Sequence, residues 1–252
     1  MLTEATKQAI RDAYFRLIEE KSLSPRWGQR QMVAEIANTL ARIGDDDAEH
    51  SPHCVIEAGT GTGKTIAYTL AAIPVAQALD KSLVISTATI ALQEQLVLKD
   101  LPDIRHHSGL QFEFVLAKGR RRYVCLSRLD KMLAVGGQED AIIPLYPDEV
   151  ATPVAVEALP VYTAMLDSLG RGEWDGDRDN WSQEVAEDVW FGVTTDHSQC
   201  SGRRCPNISQ CSFFKARDAL QSADVIVTNH DLVLSDLALG GGAILPAPAD
   251  AI

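Results

Sequence analysis

A glycine-rich stretch, AGTGTGKT at residues 58–65, carries the most specific chemistry in this sequence. It stands between a short apolar run at 54–57 and a long one at 65–79, and the general pattern for such loops begins with glycine where this chain has alanine. Glycines let successive backbone N–H groups turn toward phosphate oxygens, and the N-terminus of a following helix adds a partial positive charge. Lys64 would reach the outer phosphates of a nucleotide, and the Thr65 hydroxyl would ligate Mg²⁺. We therefore predict a nucleoside triphosphate site at seven residues: Gly59, Thr60, Gly61, Thr62, Gly63, Lys64 and Thr65.

Three cysteines stand close together in the sequence, and a fourth precedes them. Cys200, Cys205 and Cys211 follow a C-x₄-C-x₅-C pattern, and Cys125 follows the basic run KGRRRYV. No secretory context favours disulfides, so this set is typical of metal or iron–sulfur ligation. Four thiolates suit Zn²⁺ or a [4Fe–4S] cluster, although zinc sites favour paired short spacings and this chain has no second short pair. Both cofactors stay open at this point, as do four unrelated core or surface cysteines; the fifth, Cys54, is expected to be a buried core thiol.

The charge of the chain is unevenly distributed. With 23 basic and 35 acidic residues the net charge is -12, which taken whole argues against a nucleic-acid-binding protein. Between Glu139 and Val189, however, thirteen residues are acidic and two are basic, so the rest of the chain is close to neutral. Two basic groups flank this acidic segment: Lys118, Arg120, Arg121, Arg122, Arg128 and Lys131, then Arg203, Arg204, Lys215 and Arg217.

The composition is that of an ordinary globular protein. Of the 252 residues 46% are hydrophobic and 23% are charged, which excludes collagen-like and wholly disordered chains. The longest apolar stretches, near 66–79 and 151–166, are too short or too often interrupted to span a membrane. The N-terminus carries charge from Glu4 onward and has no apolar core, so it does not resemble a signal peptide. We therefore expect a cytoplasmic protein.

Strands and helices alternate around the glycine-rich loop. Helices are predicted at 3–21, with Thr3 as the N-cap, and at 29–43, followed by an acidic turn at 45–47. A strand is predicted at 54–57, directly before the loop. Strands separated by helices predict a parallel sheet with helices on both faces, an α/β fold. The other predicted elements are helices at 65–79, 89–98, 161–169, 183–190, 211–221 and 230–239, and strands at 82–86, 113–116 and 224–228.

Two segments beside the loop resemble parts of superfamily 2 helicases, as does the A-x-x-G-x-G-K-T form of the loop itself. RWGQRQM at 26–32 resembles their adenine-recognition segment, in which Gln29 would present its amide to the adenine edge. A polar turn of an amphipathic helix explains this segment equally well. STATIALQEQL at 86–96 resembles a segment that contacts the nucleic-acid backbone. Helix capping by Thr87 or Thr89 explains it nearly as well.

Three more motifs make the resemblance specific. KGRRRYVC at 118–125, the cysteine triplet and VTNHDLV at 227–233 together resemble the DinG group of iron–sulfur helicases, relatives of XPD. The resemblance runs from about Gln29 to Val233. It implies a RecA-like P-loop motor domain with a parallel sheet, incomplete in this chain, and an inserted four-cysteine iron–sulfur domain. The implied organisation is an N-terminal helix at 1–24, a first RecA-like part at 25–117, the cluster insertion with its acidic segment at 118–222, and a return to the RecA-like domain at 223–252.

The same resemblance implies cofactors and partners. It implies ATP with Mg²⁺, 5′→3′ movement on single-stranded DNA, and forked or structured DNA as a substrate of a monomeric protein. Basic residues beside the cysteines would form a positive rim along the DNA, and Tyr123 or Phe213 could stack on bases. The implied [4Fe–4S] ligands are Cys125, Cys200, Cys205 and Cys211.

ATP hydrolysis in this group also needs an apolar strand ending in Asp-Glu, and a second motor domain. The adjacent acidic pairs of this chain do not follow such a strand, and the sequence ends at Ile252 where that strand would begin. We therefore expect the front part of a helicase that binds nucleotide weakly and does not hydrolyse ATP by itself. Two alternatives remain. One is a P-loop ATP-binding protein with structural zinc and no helicase activity, and the other is a binding module whose acidic segment docks a protein partner.

Overall fold

The computed structural model describes residues 2–43, 52–136 and 156–252. Its contacts divide the chain into two compact units: unit 1 is Met1–Ala117 with Ala219–Ile252, and unit 2 is Lys118–Asp218. The predicted acidic turn at 45–47 and the acidic residues between 139 and 149 lie outside the described residues. Within the described residues, no helix is both long and apolar enough to pass through a bilayer.

The described elements follow the predicted alternation. The helices are α1 (Glu4–Glu20), α2 (Trp27–Leu40), α3 (Lys64–Ala78), α4 (Ile90–Gln95), α5 (Leu101–Ser108), α6 (Leu126–Gly136), α7 (Leu159–Arg171), α8 (Glu187–Val193), α9 (Ser212–Leu220) and α10 (His230–Ala238). The strands are β1 (Leu83–Thr87), β2 (Phe114–Leu116) and β3 (Val225–Asn229).

Helix α1 begins and packs as its sequence predicts. The Thr3 hydroxyl accepts a hydrogen bond from the backbone N–H of Thr6 at 3.1 Å, which satisfies one of the free donors of the first turn. Its apolar positions recur every three or four residues, so they lie on one face, and Ile10, Tyr14 and Leu17 are buried. That face packs into the main core of unit 1, which also contains buried residues of α2, α3 and β1.

A three-stranded parallel sheet of order β1-β3-β2 lies at the centre of unit 1. Successive side chains of a strand point to opposite faces, and the middle strand β3 is buried on both. Val225 and Val227 belong to the main core, whereas Ile226 packs in a second cluster with Leu220 and Leu245. Because helices and loops cover both faces, the predicted α/β fold with a parallel sheet is confirmed.

A buried carboxylate holds the loop that follows α10. Asp236 is buried, and its oxygens accept hydrogen bonds from the backbone N–H groups of Gly242, Ile244 and Leu245. A single side chain therefore satisfies three backbone donors, which brings Leu245 into the second core cluster.

The prediction of a strand at 54–57 is wrong, and so is the prediction that Cys54 is buried. The segment pairs with no described strand, Cys54 is exposed, and Val55 is 97% exposed. An apolar run forms a strand only where a neighbouring strand offers hydrogen bonds, and no described residue offers them here. The helix predicted at 89–98 also differs, because α4 ends at Gln95 and passes through a π-helical turn, Leu96–Asp100, into α5.

Unit 2 has a core of its own. Helices α6, α7 and α8 surround it, and its most deeply buried side chains are Leu129, Met165 and Val193. Trp174 and Trp190 add large apolar area, and the Trp174 ring N–H donates to the Asp177 carbonyl at 2.7 Å. The acidic segment therefore contributes to a packed core where it is described.

Candidate functional site

The glycine-rich loop leads directly into the N-terminus of α3. Gly63 is the N-cap in a left-handed conformation, with φ of +80°, and Gly61 has φ of +76°. Such conformations are unfavourable for residues with a Cβ atom. No described side chain caps the N-terminus of α3, so its first N–H groups are open to an anion.

Lys64 lies across this loop. Its ammonium group donates to the carbonyl oxygens of Ala58 at 2.8 Å and Gly59 at 3.0 Å, and the Thr62 hydroxyl donates to Gly59 at 2.9 Å. The side chain of Lys64 is exposed. Neutral carbonyls are weaker partners for an ammonium group than phosphate oxygens. The lysine can therefore leave these carbonyls when a phosphate enters the loop.

Thr65, the predicted Mg²⁺ ligand, is half-buried one turn before Tyr68. The Tyr68 phenol is half-buried, which raises its pKa, and a hydrogen bond with the Thr65 side chain opposes that shift. The Thr65 hydroxyl thus has a neutral partner at ordinary pH. A hydroxyl so placed keeps lone pairs with which it can ligate a cation.

Gln29 connects α1 and α2 to the loop. It is 5% exposed, its Oε1 accepts from the Tyr14 hydroxyl at 3.2 Å, and its Nε2 donates to the Gly63 carbonyl at 3.2 Å. A Cβ at Gly63 would collide with Nε2 and lie 3.2 Å from Cδ of Gln29, so this close approach requires glycine. The sequence pointed to Gln29 but not to Tyr14, whose spacing marks it only as a core residue of α1.

A cavity of about 560 Å³ adjoins this contact. Gln29 and Met32 line it from α2, and Ile56, Thr60 and Thr62 line it from the loop side. Arg26 also lines it, and its guanidinium donates to the Gly61 carbonyl. The place and size suit a flat base whose phosphates lie in the loop.

The segment predicted to contact nucleic acid meets β3 at the carboxyl edge of the sheet. Thr89 caps α4, accepting from the Leu92 N–H at 3.3 Å, so the capping explanation holds for this residue. The Ser86 hydroxyl lies 2.7 Å from Nδ1 of His230. β1 and β3 are parallel neighbours with Ser86 opposite Thr228. The motif at 86–96 and the motif at 227–233 therefore lie at the same edge of the sheet.

All four predicted metal ligands line one small cavity of unit 2. Cys125 directly precedes α6 and Cys211 directly precedes α9, while Cys200 and Cys205 flank a short 3-10 turn at Gly202–Arg204. Helix N-termini favour negative charge, as thiolates carry. Burial raises the pKa of the Cys125 thiol, and a hydrogen bond from the backbone of Arg128 opposes this shift.

Polar groups surround two of these sulfurs. The Arg120 guanidinium donates to Sγ of Cys200 at 2.9 Å, and the backbone N–H of Gly202 lies 3.4 Å from the same sulfur. The Ser127 hydroxyl lies 3.3 Å from Sγ of Cys205. Across the described ranges, no three or more His, Cys, Asp or Glu side chains are grouped as ligands of a metal ion. The four thiols line one cavity and suit zinc or an iron–sulfur cluster in type and number, but in the described structure they are not placed as a ligand group around one metal position.

Part of the basic run before Cys125 is paired within unit 2. Lys118 forms ion pairs with Asp177 and, at 2.9 Å, with Asp179, which also pairs with Arg122. Lys118 and Asp177 are largely buried, and burial raises the pKa of Asp177 although Lys118 opposes the shift. Lys118 and Arg122 thus neutralise Asp177 and Asp179 of the acidic segment, so the predicted positive rim does not include these two basic residues.

Arg121 is also paired with an acidic residue. It lies 3.1 Å from Asp196. Hydrogen bonds from Ser198 and Arg121 lower the pKa of Asp196 to about 2. The basic residues that are exposed with no ion pair among the described residues include Lys131, Arg203 and Arg204.

Neither aromatic residue proposed to stack on bases is accessible. Tyr123 and Phe213 are 7% and 5% exposed and pack edge to face with ring centres 5.9 Å apart, so the stacking prediction is wrong. The Arg120 guanidinium lies 3.9 Å from the centre of the Phe213 ring and covers it. An exposed ring of unit 2 is Phe191, with the Arg121 guanidinium at 5.7 Å.

Fold and site together define a class: an α/β protein in which the glycine-rich loop at 58–65, a P-loop by its sequence, leads into a buried helix beside a parallel sheet. No protein-family model matches the chain. The chain is 40% identical to the ATP-dependent DNA helicase DinG of Photobacterium profundum over 255 residues, 100% of this chain and 35% of that protein. It is 36% identical over 249 residues to the ATP-dependent DNA helicases DinG of Escherichia coli (strain K12) and Salmonella choleraesuis, 98% of this chain and 33% of each. These alignments confirm the resemblance to the DinG helicases, and the chain spans about a third of the length of the relatives it matches.

Proposed function

We propose that this chain provides the ATP-binding and iron–sulfur parts of an ATP-dependent DNA helicase. The observation that carries the proposal is similarity along the whole chain to proteins named ATP-dependent DNA helicase DinG. Unit 1, with its P-loop and parallel sheet, would belong to a RecA-like motor domain, and unit 2 would be the cluster insertion. The full protein would act in the cytoplasm on single-stranded and forked or structured DNA and move 5′→3′ along it.

The P-loop supports the nucleotide part of this proposal. ATP phosphates would accept hydrogen bonds from the N–H groups at the start of α3, and Lys64 would move from the loop carbonyls to the outer phosphates. Thr65 would ligate Mg²⁺, and the base would lie in the cavity beside Gln29. In this arrangement Gln29 holds the carbonyl of Gly63 in place while the N–H groups that follow it bind phosphate.

The four-thiol cavity supports the cluster part. Cys125, Cys200, Cys205 and Cys211 would hold a [4Fe–4S] cluster, which when bound supplies one-electron redox chemistry and ties four chain segments together. The Arg120 guanidinium, which donates to Sγ of Cys200 at 2.9 Å, would hold this ligand in place.

Nucleotide binding tests the first part of the proposal. A fluorescent ATP analogue with Mg²⁺ should bind the unaltered chain, and Lys64→Ala should weaken binding at least about tenfold, a loss of about 1.4 kcal/mol. Lys99→Ala, at an exposed lysine of the π-helical turn, is the matched control and should bind like the unaltered chain. Equal affinity of Lys64→Ala and the control would exclude the P-loop as the site.

Anaerobic purification tests the second part. We expect brown protein with about four iron and four sulfide ions per chain, as the proposed cluster type requires. Cys125→Ser should lose this iron, whereas Cys54→Ser, which alters an exposed thiol of unit 1, should retain it. Colourless protein with one tightly bound zinc ion would instead support the structural-zinc alternative.

DNA binding is tested by titrating the chain with labelled single-stranded DNA at several salt concentrations. Contacts with phosphates release counterions, so affinity should fall as salt rises. Arg203→Ala/Arg204→Ala should weaken binding and reduce this salt dependence. If the chain binds no DNA but captures a protein through its acidic segment, the binding-module alternative is favoured.

A further inference from the structure

Gly176, within the acidic segment, lies between the chain segments that carry Cys125 and Cys211. A Cβ atom at this position would collide with the Ser212 hydroxyl, and would lie 2.7 Å from Cβ of Ser212 and 3.0 Å from Cγ1 of Val124. Ser212 directly follows Cys211, and Val124 directly precedes Cys125. Because Gly176 has no side chain, these two segments can approach each other across its Cα atom.

The backbone around Gly176 leaves little room to avoid this collision. Its φ of +85° is in the left-handed region, which favours glycine. Its carbonyl accepts from the Val124 N–H at 2.9 Å, and the adjacent Asp177 forms an antiparallel bridge with Tyr123. A side chain at 176 would consequently push directly against Val124 and Ser212.

The segment before Cys125 is held on its other side as well. The Cys125 N–H donates to the Val193 carbonyl at 2.7 Å, and the Thr194 hydroxyl donates to the Tyr123 carbonyl at 3.2 Å. The buried ion pair of Lys118 with Asp177 further anchors the loop that contains Gly176. Because Ser212 is also buried, a larger residue at 176 would displace Val124 and Ser212. The adjacent Cys125 and Cys211 would move with them.

We propose that Gly176 is a positioning residue that sets the separation between Cys125 and Cys211 by letting Val124 and Ser212 pack against its bare Cα. The proposal rests on the proposed function, because it concerns thiols assigned there to the cluster. It gives the described part of the acidic segment around Gly176 a role in shaping the four-thiol cavity.

Gly176→Ala tests this role, and Gly172→Ala is its matched control. Gly172 has φ of +70°, but no described atom other than its own chain neighbours lies within 4 Å of a Cβ built there, so it shares the backbone strain without the collision. After anaerobic reconstitution we expect Gly176→Ala to lose iron to a chelator about tenfold more readily than Gly172→Ala, an effect typical of residues that position metal ligands.

A second readout does not depend on the cluster. In the metal-free protein, a short bifunctional thiol reagent such as dibromobimane should crosslink Cys125 with Cys211, and peptide mass spectrometry measures the yield. We expect the yield to fall in Gly176→Ala and to be unchanged in Gly172→Ala.

Removing the opposing atoms should restore the arrangement. Gly176→Ala/Ser212→Gly lacks both Ser212 contacts, and the 3.0 Å contact with Val124 is the one that remains of the three nearest. Its crosslink yield and iron retention should therefore rise above those of Gly176→Ala. If Gly176→Ala does not fold, this double variant is compared with Gly172→Ala/Ser212→Gly instead.

The outcomes separate the two proposals. If the unaltered chain retains no iron while the crosslink yield still falls in Gly176→Ala, the cluster assignment fails and the positioning role stands. If Gly176→Ala matches Gly172→Ala in both crosslink yield and iron retention, the positioning role is overturned whatever the cofactor.

Discussion

The contact between Gln29 and the P-loop predicts a strong effect of an almost isosteric substitution. Gln29→Glu replaces the Nε2 donor with a carboxylate oxygen that faces the Gly63 carbonyl, which the wild-type amide contacts at 3.2 Å. Two oxygens at this distance repel each other. The new charge would be 5% exposed, and the Tyr14 hydroxyl is the donor that already contacts this side chain.

The magnitude follows from these contacts. Loss of the hydrogen bond to Gly63 costs about 1 kcal/mol. A buried carboxylate with one neutral donor adds about 2 kcal/mol or more, because incomplete pairing leaves much of its desolvation uncompensated. We therefore expect the free energy of unfolding to fall by about 3 kcal/mol. At a separation on the order of 7 Å and an effective dielectric constant of about 20, the carboxylate also repels each phosphate charge by about 2 kcal/mol, or about 30-fold in nucleotide affinity.

Urea denaturation and titration with a fluorescent ATP analogue measure these two effects. Tyr14→Phe is the control, because it removes one neutral hydrogen bond, keeps the buried ring, and should lower the free energy of unfolding by only about 1 kcal/mol. If Gln29→Glu unfolds at the same urea concentration as the control and binds the nucleotide as tightly as the unaltered chain, Gln29 is not buried against the loop and the reasoning is refuted.

Three further predictions concern stability, pH and thiol reactivity. Asp236→Ala leaves three backbone N–H groups without their acceptor and should lower the free energy of unfolding in urea by about 3 kcal/mol. The control Asp231→Asn, at an exposed carboxylate of the same helix, should change this free energy by about 0.5 kcal/mol. Similar losses in the two variants would show that the carboxylate of Asp236 does not hold the loop. The pKa of Asp196 is lowered from 3.8 to about 2, so its contribution to stability is present above pH 3.8 and is lost as the pH falls toward 2. Between these pH values the urea midpoint should fall less steeply in Asp196→Asn than in the unaltered chain. Parallel curves of midpoint against pH for the two proteins would contradict the lowered pKa. Iodoacetamide should alkylate the exposed Cys54 of metal-free protein faster than the half-buried Cys125, whose thiol pKa is raised by burial, as peptide mass spectrometry can measure; the reverse order would show that Cys54 is buried after all.

Local patterns in the sequence were sufficient for much of the fold. The apolar period of α1 and its Thr3 cap predicted that helix, because both act within a few residues of the chain. The apolar run of β3 and the runs of its neighbours predicted a parallel sheet in the same way. The glycine-rich loop was equally predictable, since the left-handed conformations of Gly61 and Gly63 are a local property of glycine.

Patterns that need a distant partner led to wrong predictions. The apolar run at 54–57 has the composition of a strand, but pairing decides whether a strand forms, and no described strand lies beside it. Tyr123 and Phe213 have the residue types of a stacking surface, yet each is buried by the other and by neighbouring side chains. Lys118 of the basic run and Asp177 of the acidic segment form an ion pair, although they are far apart in the sequence. A count of charges cannot predict which of them pair.

The sequence by itself determined the glycine-rich loop, the order of the strands and helices apart from the strand wrongly predicted at 54–57, and the four cysteines that could act together. Only the tertiary structure decided that Tyr14 and Gln29 hold the loop, that the four thiols line one cavity, and that Gly176 occupies the space between two of their segments. The physical reason is range. Dihedral preferences and caps act between near neighbours in the chain, whereas burial, ion pairing and close packing depend on which distant segments meet.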